Sequence, residues 1–444
     1  MHNVLGWRTA TLSNSIFSLD AGVSVNSEDR PHRAGEVGVL KTSAISGGVF
    51  RPEQNKAVLP VERALVAEPI VADSILLSRM NTPALVGECC YIEEARPTLF
   101  LPDRIWQLRP KNRADVSMRW LSFVLRSDST RAYIETHASG TSGSMKNLAK
   151  SKLMALRVDY PPFSEQVAIA KILDTLDTTI RQTEAIIEKI KLVKQGLLDD
   201  LLTRGIGDNG ELRPPQSQAP HLYKDSPLGW LPKEWEEVRL EEILSRIDAG
   251  KSPSCQDTPA YGDFWGVLKV GAVHPDGLRH VENKIVEDRH LWNAEYLVRR
   301  GDLLFSRANT PDLVGLVCLV EDSPRRLMLS DKTLRLTLRP ELMLAKFGSM
   351  VLQTPNSRAQ IEVAATGTSG SMKNISQPAI KSLLVPRPPV DEQLRIILRV
   401  AAMDGRCADE GLQLDKLKRL KQGLMDDLLT GRVRVTPLLE PLGA

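Results

Sequence analysis

The chain has 444 residues, of which 25% are charged and 42% apolar, with a formal net charge of +3. That is ordinary globular composition, and the length allows two or more domains, each with a sizeable core. No apolar run reaches the ~18 residues a membrane-spanning helix needs, and residues 1–20 lack the charged-then-apolar pattern of a secretion signal. The five cysteines and seven histidines show no metal-ligand spacing. The cysteines are therefore expected to be reduced and structural, as in a cytoplasmic protein, with Cys90 and Cys318 on buried strands.

Read in chain order, the first part alternates short β-type runs with turn signals: Glu36–Lys41, Ile75–Ser78, Val86–Ile92 and Arg104–Leu108. A helical pattern follows at Ser117–Arg126. GTSGSMKN occupies 140–147, and Pro161-Pro162 then leads through Glu165-Gln166 into a long helical stretch, with Ser164 expected as its N-cap. The stretch closes on KQGLLDDLLT. Its apolar stripe is Ile169, Leu173, Leu176, Ile180, Ile187, Ile190, Leu197 and Leu201, with Thr183 and Lys194 as polar members. Alternating steps of four and three are the spacing of a coiled-coil seam, in which polar members cost stability but fix register. Residues 206–225, rich in Gly, Pro and polar types, read as a linker.

The whole pattern then recurs. GTSGSMKN returns at 367–374, and Pro388-Pro389, Glu392-Gln393 and KQGLMDDLLT keep the same offset of 227. Upstream the offset is 228: Ser78-Arg79-Met80-Asn81-Thr82-Pro83 matches Ser306-Arg307-Ala308-Asn309-Thr310-Pro311, Lys41 matches Lys269, Asn55-Lys56 matches Asn283-Lys284, and Trp7 matches Trp235. The second half repeats the β-type runs at Gly266–Val270, Leu303–Ser306, Gly315–Val320 and Thr333–Leu338, and the helical pattern at Leu342–Gln353. Asp391 is the expected second N-cap. The second seam is Ile396, Val400, Met403, Leu414, Leu417, Leu424 and Leu428, with Cys407, Glu410 and Lys421 completing it. Gly196 and Gly423, at matching places, either weaken the last turns or permit close backbone approach.

Two such helices have an obvious partner in each other. The expected fold class is α/β, with two globular domains separated by two long antiparallel helices that form a coiled-coil spacer, the halves related by a pseudo-two-fold internal repeat.

This order of parts resembles the specificity subunit of type I restriction-modification systems over nearly the whole chain. The features that carry it are the doubled GTSGSMKN, PPxxEQ and KQGL(L/M)DDLLT blocks, and the entry SPLGWLPKEWEEVRLEEI at 226–243 with its shortened form Leu5-Gly6-Trp7-Arg8. The resemblance implies target recognition domains at 1–150 and 226–377, a central conserved helix at 160–205, a linker at 206–225, a C-terminal conserved helix at 387–432 and a tail at 433–444. It also implies the partners: double-stranded DNA, two methyltransferase subunits and restriction/translocase subunits. S-adenosylmethionine is expected on the methyltransferase partner and no cofactor on this chain. Each globular domain would read one half of a split DNA site, with the gap set by the spacer.

Candidate DNA contacts follow. Lys146 and Asn147, with Lys373 and Asn374, end the repeated octapeptide, whose amides, hydroxyls and cation suit a phosphate; the bland alternative is a tight structural junction. Arg79, Asn81, Arg307 and Asn309 are residue types that read guanine and adenine edges. Because both halves share them, a turn capped by Asn and fixed by Pro is the stronger reading. Lys41 and Lys269 follow β-type runs and can reach phosphate or simply be solvated. Base-reading residues are expected where the halves diverge, at 30–33 against 258–261 and at 95–100 against 323–328. Asp159-Tyr160-Pro161-Pro162-Phe163 only loosely resembles an amino-methyltransferase motif, and its copy lacks the acid and the aromatic. No P-loop, glycine-rich cofactor turn or nuclease cluster is legible, so a non-catalytic subunit is expected, with a protein-binding coiled-coil adaptor as the alternative.

Overall fold

A computed structural model describes residues 6–140, 145–322, 324–367 and 372–439. They form two units, one comprising 1–185 with 411–444 and the other 186–410.

In the first unit, strand Arg8–Thr11 pairs antiparallel with Arg157–Tyr160, so the chain enters beside the point where it leaves for the long helix. A four-stranded antiparallel sheet has the order Cys89–Ile92, Ser74–Ser78, Ile105–Pro110, Ile16–Ala21. A second sheet runs Ser27–Glu28, Asn55–Val58, Gly38–Leu40, Arg96–Phe100, Pro69–Ile70, with 38–40 and 99–100 parallel. Helices Met118–Arg126 and Asp128–His137 follow. Sequence periodicity found the first but not the second, whose ten residues bury only Thr130 and Ile134 and so carry little amphipathic signal.

The second unit repeats this plan. Glu236–Arg239 pairs with Leu384–Arg387. The four-stranded sheet is Leu244–Ala249, Thr333–Leu338, Leu303–Ser306, Val317–Leu319, and a three-stranded sheet is Asn283–Val286, Trp265–Leu268, Leu327–Met328. Helices Ala345–Leu352 and Pro355–Ala364 correspond to those of the first unit. Cys90 and Cys318 lie buried on their strands, and burial pushes the Cys318 thiol up to about 12.

The long helices span Phe163–Thr203 and Val390–Leu429. Each begins one residue before the expected caps, because Pro162 and Pro389 carbonyls already accept from Gln166 and Gln393 amides. Ser164 and Asp391 therefore stand in the first turn and not at the cap. In the first unit, 163–185 and 411–429 run antiparallel: Asp177 pairs with Lys421, and Glu184 with Lys418 at 2.8 Å. In the second unit, 186–203 and 390–410 do the same: Lys194 pairs with Asp404, and the Ile206 amide, just past the helix, donates to Glu392. Every seam residue is buried or half-buried and none is exposed. A Cβ at Gly196 or Gly423 would meet open space, so neither serves a close approach. Each instead costs about 0.5–1 kcal/mol relative to alanine.

The helix ends are packed into the unit cores. Ile169, Leu173, Met425 and Leu428 join Trp7, Trp120 and Phe123, while Leu201, Ile396 and Val400 join Trp235, Phe305 and Phe347. The segment expected as a linker is ordered against the second unit, with Ile206, Arg213 and Tyr223 buried.

Candidate functional site

The Glu-Gln of each Pro-Pro-x-x-Glu-Gln block is buried and committed to structure. Gln166 donates to the Pro161 and Asp115 carbonyls at 2.9 and 3.2 Å and accepts from the Ser117 amide at 2.8 Å. Gln393 repeats this, donating to Pro388 and Leu342 carbonyls and accepting from the Leu344 amide. Each glutamine thus locks the start of a long helix to the start of the globular domain's helix pair. A buried amide with its bonds satisfied is rigid and costly to lose. Glu392 accepts from Arg213 at 2.5 and 3.1 Å, and Glu165 from Arg434 at 2.5 and 3.0 Å. In both units an arginine just past the end of one long helix clamps the first turn of the other. Sequence reading missed these arginines, since 213 and 434 do not align at the repeat offset.

The two shared motifs of each half meet. In the first unit Met80-Asn81 pairs antiparallel with Lys146-Asn147; in the second, Ala308-Asn309 pairs with Lys373-Asn374 in the same register. Asn147 and Asn374 also bridge back to Ser139 and Thr366, closing the octapeptide into a hairpin neck. A Cβ on Gly140 would lie 2.3 Å from the Met145 carbonyl oxygen, and on Gly367 2.6 Å from that of Met372, so glycine is required there. Residues 141–144 and 368–371, the middle of the octapeptide, lie outside the described residues.

The asparagines act as turn caps. Asn81 Oδ1 accepts from the Thr82 amide and its Nδ2 donates to Ser78; Asn309 does the same with Thr310 and Ser306, and donates to the Val270 carbonyl as well. Gly87 and Gly315 close both turns at φ +80° and +76°. The amides of Asn81 and Asn309 therefore have little to offer a base edge, and Asn309 is buried. The arginines differ: Nε of Arg79 and of Arg307 is buried without a hydrogen-bond partner among the described residues. The Arg79 guanidinium lies over the Trp106 ring, 5.5 Å from its centroid. Lys146 and Lys373 stand half-buried on the same ribbons.

Lys41 and Lys269 lie nearby, each just before a 3₁₀ turn, and the 270–272 turn carries the carbonyl that Asn309 grips. They are not free: Lys41 pairs with Asp29 at 2.7 Å and Lys269 with Asp257 at 2.8 Å.

The divergent segments also come together. His32 Nε2 lies 3.3 Å from Thr98 Oγ1, joining 30–33 to 95–100. In the second unit, Ala260–Phe264 and Arg325–Leu327 line one cavity of about 810 Å³, with Arg326 ion-paired to Asp263. Asn55 and Asn283, buried at matching positions, accept from the His32 and Ala260 amides and so anchor these segments alike.

Residues 27–192 match the family model of the type I restriction modification DNA specificity domain. The chain is thus similar to the specificity subunits of type I restriction-modification systems. The EcoEI specificity subunit of Escherichia coli is 32% identical over 242 residues, which are 54% of this chain and 38% of that protein. The MjaVIII specificity subunit of Methanocaldococcus jannaschii is 22% identical over 322 residues, covering 69% and 68%. The chain thus spans well under half of the first relative and about two thirds of the second. Among solved structures, the S subunit of a type I system from M. genitalium superposes over 96% of this chain and 97% of its own with a TM-score of 0.54 at 15% identity. A chain from a study of complex assembly in a type I system gives 0.56 at 16% identity. At such identities the agreement is one of fold, and it covers both halves of this chain.

Proposed function

We propose that the chain is the non-catalytic, sequence-reading subunit of a type I restriction-modification complex. Each unit contacts one half of a bipartite double-stranded DNA site, through target recognition domains at about 1–150 and 226–377. The conserved helices dock two adenine methyltransferase subunits, and restriction/translocase subunits join the assembly. The observation that carries this reading is the doubled ribbon. Two motifs that the halves share, with an arginine and a lysine in each copy, stand in the same register in both units, while the differing segments 30–33 and 258–261 lie in loops held by Asn55 and Asn283. Shared elements suit the phosphate backbone, which is common to all DNA; divergent ones suit base edges. Arg79, Lys146, Arg307 and Lys373 are assigned to phosphate, and Asn81 and Asn309 to the turn.

The test is reconstitution with the cognate methyltransferase subunit, followed by single-molecule mapping of methylated adenine. Methylation confined to one two-part motif is expected. Complex formation without sequence-specific methylation or salt-dependent DNA binding would instead make the chain a protein-binding adaptor.

A further inference from the structure

In the second unit two lysines share one exposed acid, and the first unit carries the same three residue types at matching positions, with one of its lysines in direct contact with the acid. Lys41 follows strand Gly38–Leu40, and Lys56 lies on the neighbouring strand Asn55–Val58, where Leu40 faces Asn55 and Val39 faces Lys56. In the second unit Leu268 faces Asn283 and Val267 faces Lys284, so Lys269 and Lys284 take the same positions. Asp257 Oδ1 lies 2.8 Å from Lys269 Nζ and 3.5 Å from Lys284 Nζ. Asp29 Oδ1 lies 2.7 Å from Lys41 Nζ. The hydrogen bond from Lys41, then the charges of Lys41 and Lys56, hold the Asp29 carboxyl below the usual range. Lys269 and Lys284 do the same to Asp257. The acid side chains are 73% and 70% exposed, and those of Lys41, Lys269 and Lys284 between 25% and 41%.

We propose that Asp29 with Lys41 and Lys56, and Asp257 with Lys269 and Lys284, are acid-gated phosphate clamps, in which a DNA backbone phosphate replaces the aspartate between the lysines. This rests on the DNA-reading function proposed above and assigns its phosphate contacts further. Two ammonium groups against one carboxylate leave each cluster net positive. The carboxylate holds the lysines in place without long side-chain searches and is itself at the surface, so a phosphate oxygen can take its position. Until then it weakens the attraction of the cluster for any polyanion. Asp29 and Asp257 immediately precede the divergent segments that Asn55 and Asn283 anchor, so contacts made by those segments are coupled to the opening of the clamp. The arrangement therefore penalises random DNA more than a site whose bases engage the segment. The matching placement of these three residues in halves that otherwise differ here fits a ligand that does not vary with sequence.

The test uses the full-length chain with Asp29→Asn and Asp257→Asn together, titrated against a random-sequence duplex and a cognate duplex between 50 and 200 mM salt. Affinity for random DNA is expected to rise about fivefold at low salt, with a smaller gain on the cognate site. Lys56→Gln with Lys284→Gln should lower random-duplex affinity and flatten the salt slope by about two. Unchanged or weakened random-duplex binding by the aspartate variant, with melting intact, overturns the gate and leaves the acids as pins for their own segments. If the wild-type chain binds neither duplex, the DNA-reading function itself fails.

Discussion

The lysine–aspartate pair that crosses the long helices occurs twice, in two environments. In the first unit Lys421 and Asp177 are 15% and 14% exposed, and Arg126 approaches Asp177 at 3.5 Å. Burial pushes the Lys421 ammonium down, Arg126 adds to this, and Asp177 opposes it. In the second unit the equivalent Lys194 and Asp404 are 34% and 47% exposed and border an open cavity of about 860 Å³. One side chain accounts for much of the difference. Arg126 reaches over Gly48, where a Cβ would lie 1.9 Å from the guanidinium carbon. At the corresponding places the second unit has Gln353 and Asp276, which line the cavity. The same register device is thus solvated in one copy and enclosed in the other, which separates what the seam needs from what its surroundings add.

Three measurements sharpen that contrast. The largest effect should come from the helix clamps. Glu392→Ala leaves Arg213, whose side chain is 10% exposed, with only the exposed Glu234 carboxylate at 3.7 Å, and should cost about 3–5 kcal/mol. Glu165→Ala should cost about 1–3 kcal/mol, because Arg434 is 30% exposed and better hydrated. Urea unfolding with hydrogen exchange localised to each unit reads both; equal losses would contradict the burial difference. Next, Lys421→Met should destabilise the first unit by about 1–3 kcal/mol, since Asp177 keeps only Arg126. Lys194→Met should stay within about 0.5 kcal/mol, as expected of a hydrated pair. Thermal melts of the two variants compare them directly, and the reverse order would show that the enclosed pair is not the stronger one.

The smallest effect concerns acid. Glu36 accepts from Arg30 and from the Arg33 amide, and those bonds bring its carboxyl from 4.5 down to about 2. A depressed carboxylate adds stability above its ordinary value and loses it as pH falls through the folded one. The segment around 30–36 should therefore loosen between pH ~4.5 and ~2. Phe264 holds the equivalent place in the second unit, so no matching transition is expected there. A carboxyl-carbon NMR titration of Glu36 checks this; a midpoint near 4.5 would show that the Arg30 bonds do not persist in solution.

The seam was legible residue by residue, because a helix places every third or fourth side chain on one face and that period is local. The octapeptide and SRxNTP were legible as repeated motifs, and their glycines and asparagines as turn chemistry. That the two motifs form one ribbon was not legible, since Met80 and Asn147 are far apart along the chain and nothing in either motif encodes the pairing. Gln166 and Gln393 read as motif letters; only packing shows each holding carbonyls and an amide from two elements at once.

By itself, then, the sequence determined the duplication, the two long helices, their seam and the family they indicate. Each of these follows from periodicity or from identity at a fixed offset. Tertiary structure decided the rest: which arginine clamps which helix, which acid holds Lys41 and Lys269, and why one seam pair is enclosed and its copy hydrated. Those outcomes depend on side chains brought together from distant parts of the chain, where burial and charge are set by the company a residue keeps and not by its neighbours in sequence.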